Sequence, residues 1–168
     1  MSFVTHLECA DCARKYPSGQ PHNLCTECHR PLWVCYDLER LREQYPVESL
    51  AGRPSDLWRY RELLPYADAA NVVSLGETAT PILSASRLGS ELGLANLQIK
   101  DESRLPTGSF KARGMAMAIT MANEFGIRRV ACPTAGNAGG AMAAYASRAG
   151  MESFVFMPDD TPMINLKE

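Results

Sequence analysis

Residues 100–114 read KDESRLPTGSFKARG, and this stretch decides the fold of the second half of the chain. An extended segment at 97–101 leads into a turn rich in Pro, Thr and Gly, and a helix is predicted over 109–125, ending before Gly126. Lys111 therefore falls in the first helical turn, where the positive end of the helix dipole disfavours an ammonium. A neutral amine is what aldehyde capture requires, so Lys111 is a candidate catalytic lysine. Taken alone, a lysine near a helix start is usually a solvated surface residue, and the motifs around Lys111 are what favour the catalytic role.

Beyond this stretch the predicted elements alternate regularly between strands and helices. A strand–helix–strand–helix–strand order builds a parallel sheet with right-handed crossovers, whose loops leave the strands along one edge. We therefore expect Lys111 and the loop at 134–140 to meet at that edge. The elements are a strand at 97–102, a helix at 109–125, a strand at 128–133, a helix at 137–149 and a strand at 153–157.

The loop at 134–140 reads TAGNAGG and runs into a predicted helix. Such a turn exposes backbone N–H groups suited to a carboxylate or phosphate, with the Asn137 amide beside them. The spacing does not match the G-x-G-x-x-G dinucleotide fingerprint, and no G-x-x-x-x-G-K-[ST] motif occurs. Asp159, about 20 residues further on, leaves a weak dinucleotide alternative open.

Four of the six cysteines form two C-x-x-C pairs, Cys9 with Cys12 and Cys25 with Cys28. Each pair directs two thiolates at one point, and two pairs close a tetrahedral sulfur site that suits zinc. Four unrelated thiols or a redox pair is the weaker alternative. His22 and His29 lie nearby, but their polar surroundings favour a solvated role, and we leave them out of the ligand set.

A sulfur site without an open position is structural, and a segment of this length needs such a staple to fold. The basic residues Arg14, Lys15 and Arg30 offset three acidic ones, so nothing in the segment favours phosphate binding. Zinc ribbons also serve as docking modules, which keeps a non-catalytic interaction module open as a second class of function.

The whole-chain charge of −2 gives no footprint for nucleic acid or an anionic membrane. No secretion signal or membrane span is apparent, so we expect a cytoplasmic protein with reduced thiols. Residues 37–94 contain short helical patterns broken by Pro and Gly, including 37–44 and 55–64. The expected organisation is a ribbon at 1–36, a helical collar with the start of the large domain at 37–94, and the alternating α/β part at 95–168.

Three segments together resemble the threonine synthases, a family of fold-type II pyridoxal-phosphate enzymes. They are 75–81 (LGETATP), 100–111 (KDESRLPTGSFK) and 134–139 (TAGNAG). The resemblance covers about 55–168, and the four-cysteine ribbon is similar to one branch of the family. It implies an α/β fold in which the zinc ribbon precedes a partial three-layer Rossmann-like parallel sheet of the tryptophan-synthase-β type.

The resemblance also implies site roles and a reaction. Lys111 would carry pyridoxal phosphate and move protons at the substrate carbons, with Phe110 beside it and Asn137 bonded to the pyridine 3-oxygen. The expected reaction converts O-phospho-L-homoserine and water to L-threonine and phosphate. The loop that would receive the substrate carboxylate consists of Thr134, Ala135, Gly136 and Ala138.

Two departures separate the chain from the family pattern: Ala112 replaces a common acidic residue, and Thr134-Ala135 replaces paired hydroxyls. They leave open another fold-type II enzyme, such as a cysteate synthase or a threonine dehydratase. The family's later phosphate loop and pyridine-nitrogen partner are absent from the sequence. We therefore expect an N-terminal portion, inactive alone, that binds an amino-acid substrate and pairs with a second copy or the missing C-terminal part, with neither nucleic acid nor membrane as partner.

Overall fold

The computed structural model describes residues 2–167 and shows a mixed α/β architecture with small sheets. The chain forms two compact units. Unit 1 contains residues 2–72 and Thr120–Ile127, and unit 2 contains Val73–Ile119 and 128–167.

Unit 1 begins with a three-stranded antiparallel sheet in the order β2-β1-β3. The strands are β1 (Val4–Cys9), β2 (Lys15–Tyr16) and β3 (Leu32–Tyr36). Leu7 lies opposite Tyr16 on one side and Val34 on the other. This sheet carries the predicted ribbon, whose small core contains the buried residues Cys9, Tyr16 and Cys25.

The helical segments of unit 1 follow the sheet. Helix α1 (Leu38–Gln44) begins at Asp37, whose carboxylate accepts the Arg40 N–H at 3.0 Å, so the helix predicted at 37–44 is confirmed. The helix predicted at 55–64 is instead a 3-10 segment (Leu57–Leu63) with a kink at Tyr60. Shorter 3-10 turns cover Val47–Leu50 and Ala69–Asn71.

One buried ion pair anchors these 3-10 turns. Arg53 donates two hydrogen bonds to the Glu62 carboxylate, at 2.8 and 3.0 Å. The Glu62 carbonyl in turn accepts the Phe3 N–H at 3.0 Å, which ties the start of the chain to the second 3-10 segment. The Arg53 hydrogen bonds lower the pKa of Glu62 to about 2, so the carboxylate is ionised at neutral pH.

Unit 2 opens with two antiparallel strands that are connected by a short helix. Strands β4 (Ile82–Ser84) and β5 (Gln98–Lys100) pair with Leu83 opposite Ile99, and α2 (Ser86–Leu92) connects them. Helix α2 ends at Gly93, whose φ of +70° is the left-handed geometry that glycine accepts without strain.

The remaining elements alternate as the sequence predicts. They are 3-10 turn Glu102–Arg104, α3 (Lys111–Glu124), β6 (Arg129–Pro133), α4 (Asn137–Arg148), β7 (Glu152–Phe156) and α5 (Met163–Lys167). Strands β6 and β7 pair in parallel, with Ala131 opposite Phe154. The apolar stripe of α3 has helical spacing: Ala112, Ala116 and Ile119 are buried.

The expected single sheet of three parallel strands, and with it the predicted partial Rossmann-like sheet, is not present in residues 2–167. Parallel pairing is confirmed for β6 and β7, but β5 pairs with β4 in a separate antiparallel sheet. The reason is local. One short helix brings the chain back beside β4, and the backbone groups of β5 form their hydrogen bonds with that strand. None of the helices in the described chain has the length and apolar run needed to cross a bilayer.

Candidate active site and metal centre

The thiols of Cys9, Cys12, Cys25 and Cys28, which we call the cysteine cluster, converge in unit 1. All four sulfur atoms lie within 4.8 Å of one another. The separations are 3.3 Å for Cys9 and Cys28, 3.5 Å for Cys12 and Cys25, and 3.7 Å for Cys12 and Cys28. Sulfurs about 2.3 Å from a tetrahedral zinc ion would have comparable separations, so the donor set fits the metal.

The two C-x-x-C turns have the same backbone design. The Ala13 N–H donates to the Cys9 carbonyl at 3.2 Å, and the His29 N–H donates to the Cys25 carbonyl at 3.0 Å. Both donor residues have positive φ, +58° for Ala13 and +55° for His29. In each turn the sulfur of the first cysteine also accepts a hydrogen bond from the backbone N–H two residues later. Such hydrogen bonds favour the thiolate form of that sulfur.

Tyr16 supports the cluster from the adjacent strand. Its hydroxyl donates to the Cys25 sulfur at 3.2 Å, and this hydrogen bond lowers the pKa of Cys25 to about 6. The Thr26 N–H donates to the same hydroxyl oxygen at 2.9 Å. His22 bonds to the Pro17 carbonyl and His29 is exposed, so neither joins the cluster.

Lys111 is the first residue of α3 in unit 2, and its side chain is exposed. Its ammonium lies 4.6 Å from the centroid of the exposed Phe110 ring, a cation–π distance. The carbonyls of Ser109 and Phe110 accept the N–H groups of Ala112 and Arg113, each at 3.2 Å, and so form the first helical turn. The helix start is therefore two residues later than the sequence predicts.

The turn before Lys111 contains two buried hydroxyl groups without a partner. Gly108 makes the turn with φ of +64°, and its N–H donates to the Leu105 carbonyl at 2.8 Å. The hydroxyls of Thr107 and Ser109 are buried, and within the described residues neither has a hydrogen-bond partner. Orphaned buried hydroxyls are uncommon, and these two belong to residues that precede Lys111 by four and two positions.

The loop at 134–136 extends β6 and leads into α4. The Thr134 N–H donates to the Phe156 carbonyl at 2.9 Å, and the Thr134 hydroxyl accepts the Gly136 N–H at 3.2 Å. Among residues 2–167, no side chain caps the first turn of α4 at Gly136, and Asn137, its first residue, is exposed. Open N–H groups and a free amide at a helix start suit a bound carboxylate or phenolic oxygen.

Gly139 allows α4 to lie close to the β6–β7 layer. A Cβ at this position would lie 2.8 Å from a Val155 methyl carbon and 2.9 Å from that of Thr134. Both distances are shorter than real contacts allow, so only glycine fits. Glycine therefore sets how closely α4 lies against the loop that begins at Thr134.

Glu102 links three segments around the start of α3. Its carboxylate accepts two hydrogen bonds from Arg113, at 2.6 and 3.0 Å, and one from the Thr80 hydroxyl. Lys100 lies 3.8 Å away and also donates to the Thr80 carbonyl at 3.2 Å. The Arg113 hydrogen bonds lower the pKa of Glu102 to about 2, so the pair is fully ionised at neutral pH.

Glu77 has a comparable position toward α4, and both Glu77 and Tyr145 are fully buried. The carboxylate accepts hydrogen bonds from the Tyr145 hydroxyl, the Ser74 hydroxyl at 2.7 Å and the Leu75 N–H at 2.8 Å. Burial alone would raise the pKa of Glu77, but these hydrogen bonds outweigh it and lower the pKa. Burial, and after it the bond to Glu77, raises the pKa of Tyr145, which keeps the hydroxyl a donor.

Glu77 and Glu102 therefore form one electrostatic network, and we call them the anchor carboxylates. Both carboxylates raise the pKa of Arg113. The hydrogen bond with Glu102 is the main cause, and the negative charge of Glu77 adds to it. The anchor carboxylates join the segment 74–80 to α3, which carries Lys111, and to α4, which carries Asn137. Because β5 lies outside the β6–β7 sheet, the predicted common sheet edge is not formed. The hydrogen bonds of the anchor carboxylates to Arg113 of α3 and Tyr145 of α4 connect the two helices to segment 74–80 instead.

Sequence reasoning did not identify Glu77, Glu102, Arg113 and Tyr145 as parts of the site. Two of their hydrogen bonds span many residues, 68 for Tyr145 with Glu77 and 22 for Thr80 with Glu102. Charge spacing within one helix or strand gives no such signal. For Glu77 and Glu102 alone, an indication is their position inside the segments 75–81 and 100–111 that carry the family resemblance.

Comparison with known proteins relates the chain to one family. The sequence model described as "Pyridoxal-phosphate dependent enzyme" matches residues 73–168, more than half of the chain. This match covers the segment with Lys111, the anchor carboxylates and the loop at 134–136.

Relatives named threonine synthase match over most of the sequence. The protein from Methanocaldococcus jannaschii is 38% identical over 151 residues, which is 90% of this chain and 37% of the relative. The one from Methanosarcina acetivorans is 35% identical over 153 residues, 91% of this chain and 37% of the relative. The one from Synechocystis is 45% identical over 101 residues, 60% of this chain and 26% of the relative. The chain thus spans about a third of the length of these relatives.

Proposed function

The chain belongs to the pyridoxal-phosphate-dependent enzyme family, and we propose that it carries the lysine-bearing part of a threonine synthase. The proposed reaction converts O-phospho-L-homoserine and water to L-threonine and phosphate. The observation that carries the proposal is the similarity to a protein named threonine synthase along 90% of the chain. Another fold-type II amino-acid enzyme, such as a cysteate synthase or a threonine dehydratase, is the alternative.

Lys111 is the proposed attachment point for the cofactor aldehyde. The exposed amine at the start of α3 is accessible, and its transfer of protons to and from substrate carbon is the chemistry we assign to it. When bound, pyridoxal phosphate supplies the electron sink that stabilises negative charge on that carbon. Phe110 would shield the amine from water on one side.

Asn137 and the loop before it are the proposed partners for oxygen atoms of cofactor and substrate. The Asn137 amide would donate to the pyridine 3-oxygen. The substrate carboxylate would be held by the open N–H groups at the start of α4. The loop residues assigned to this role are Thr134, Ala135, Gly136 and Ala138.

The cysteine cluster is proposed to hold a structural zinc ion. Four thiolates leave no open position, so the metal would stabilise the fold of the ribbon and take no part in the reaction. We further propose three segments: the ribbon at 1–36, the collar with the start of the large domain at 37–94 and the α/β part of a pyridoxal-phosphate domain at 95–168. A second copy or the remainder of a longer enzyme would complete the site, and the proposed location is the cytoplasm.

Covalent trapping tests the assignment of Lys111. The purified chain is incubated with pyridoxal phosphate and reduced with borohydride, and the pyridoxyl group is mapped among the four lysines by peptide mass spectrometry. We expect labelling concentrated on Lys111 and abolished by Lys111→Ala, with Lys167→Ala as the matched control. Equal labelling of Lys15, Lys100, Lys111 and Lys167 would contradict a formed site.

Substrate identity needs a second measurement. The loaded chain is mixed with O-phospho-L-homoserine, L-threonine or L-serine, and the absorbance of the cofactor is followed. A spectral change specific to O-phospho-L-homoserine supports the threonine synthase assignment. A response confined to L-threonine or L-serine favours the dehydratase alternative.

A further inference from the structure

A second group of metal-ligating side chains lies in unit 1, separate from the cysteine cluster. The ligand atoms of His6, Glu8 and Cys35, which we call the sheet triad, lie within 4.8 Å of one another. His6 and Cys35 are directly opposite across β1 and β3, and Glu8 is two residues further along β1. Since side chains alternate between faces along a strand, the triad occupies one face of the sheet and Leu7 the other.

The Thr5 hydroxyl contacts both the His6 ring and the Cys35 carbonyl, which bears on the ring's tautomer. The Thr5 hydroxyl donates to the Cys35 carbonyl at 3.2 Å, because a carbonyl can only accept. The same oxygen lies 2.8 Å from Nδ1 of His6, and when its single proton is given to the carbonyl, Nδ1 is the donor of this second hydrogen bond. A neutral His6 ring then carries its lone pair on Nε2.

That lone pair is directed at a carboxylate. Nε2 of His6 lies 3.3 Å from Oε2 of Glu8, and in that tautomer two acceptors face each other unless a positive charge lies between them. A proton would make the ring an imidazolium, and a metal cation would bridge the two atoms. The Cys35 sulfur beside them favours the cation, because it adds the third, softer donor that an ion pair does not need.

We propose that the sheet triad binds a divalent cation of the zinc class, in a site with an open fourth position. One imidazole nitrogen, one carboxylate and one thiolate balance a charge of +2, and three protein ligands with a free position are typical of exchangeable or reactive zinc. The Thr5 hydroxyl would orient the ligating ring, as outer hydrogen bonds do in metal sites. The irregular register between Val4 and His6 marks a local bulge that aims the ring.

Binding at this site is a proton exchange. The cation displaces the thiol proton of Cys35, which is released to solvent as the sulfur–metal bond forms, and Nε2 and Oε2 donate lone pairs without further change. Lys15, whose ammonium lies 4.0 Å from Oε2 of Glu8, opposes the cation electrostatically. Lys15→Gln should therefore strengthen binding, which would not follow if Glu8 served only as an ion-pair partner.

Metal stoichiometry tests the proposal without reference to the enzyme function. The reduced chain is stripped with a chelator, titrated with Zn²⁺ and measured by native mass spectrometry. We expect two equivalents for the wild type and for the control His22→Ala, and one for His6→Ala and Cys35→Ala. Thr5→Val should weaken the second equivalent about 10- to 100-fold. The first equivalent, held by the cysteine cluster, reports whether each variant is folded.

A mutation-free readout covers a variant that fails to fold. In the ¹⁵N-labelled wild type, the second equivalent of Zn²⁺ should shift the Nε2 resonance of His6 and leave the Nδ1 resonance in its protonated range. The proposal is overturned if the wild type binds one equivalent, if the second survives both His6→Ala and Cys35→Ala, or if Nε2 does not respond. In those cases His6 and Glu8 form a simple ion pair.

Discussion

The cysteine cluster and the anchor carboxylates both bring several polar groups together, but the cluster does so from neighbouring residues and the carboxylates from distant ones. The cluster gathers four ligands from 20 consecutive residues by using one turn twice, so its geometry is written in local spacing. The anchor carboxylates gather donors from segments up to 68 residues apart, and each carboxylate remains ionised because several hydrogen bonds converge on it. Local ligand sets can be identified from a sequence, whereas sites assembled by distant side chains depend on the fold.

Loss of one thiol should produce the largest effect. With zinc bound, Cys9→Ser removes a ligand whose site folds the ribbon, so we expect a loss of at least about 4 kcal/mol in the free energy of unfolding and failure to retain zinc. Zinc content and urea unfolding measure both. Cys132→Ser is the matched thiol control, and equal stability of the two variants would contradict a structural metal.

Neutralising the fully buried anchor should come next. Glu77→Gln replaces a carboxylate oxygen by an amide nitrogen that faces groups already donating, so we expect a loss of about 3 kcal/mol. Hydrogen exchange across α4 should accelerate, because Tyr145 loses its acceptor. The control is Glu91→Gln, which breaks only the exposed pair with Arg87 and should change stability by less than about 0.5 kcal/mol.

The second anchor is half-exposed and should matter less, with a pH signature. Glu102→Gln should cost about 2 kcal/mol at pH 7, since charge-assisted bonds to Arg113 are lost. The folded pKa of about 2 lies below the ordinary 4.5, so the contribution of Glu102 is complete above about pH 4.5 and is lost as the pH falls toward 2. Urea unfolding of both proteins should show the difference shrinking in that window. A constant difference would mean that packing, rather than ionisation, stabilises the helix start.

The smallest expected effect is a gain, rather than a loss, in the free energy of unfolding. Ala13 holds a left-handed backbone conformation, which costs a residue with a Cβ about 1 kcal/mol. Ala13→Gly should therefore raise the stability of the zinc-loaded ribbon by a few tenths of a kcal/mol after the entropy of glycine is subtracted. Ala10→Gly, in the same turn without positive φ, should lower it. Thermal unfolding of the two variants distinguishes the backbone effect from a general effect of glycine.

Prediction from sequence was most accurate where the physics is local. The cysteine spacing, the helix predicted at 37–44 and the bounds of β6 and α4 follow from turns and short-range periodicity. It was least accurate for strand pairing, since the order of the elements predicted that β5 joins a parallel sheet but β5 pairs with β4 in an antiparallel one. The 3-10 segment at Leu57–Leu63 differs from the predicted helix because Tyr60 interrupts its geometry.

By itself, the sequence determined the ligand set of the cysteine cluster, the place of Lys111 at a helix start and the membership in a cofactor-dependent family. Those features depend on residues within a few positions of one another, where backbone geometry leaves few choices. Only the tertiary structure decided which donors surround Glu77 and Glu102, that Gly139 lies against Val155, and that His6 faces Glu8 and Cys35. These contacts depend on how distant segments pack, and many sequences with the same local pattern would pack them differently.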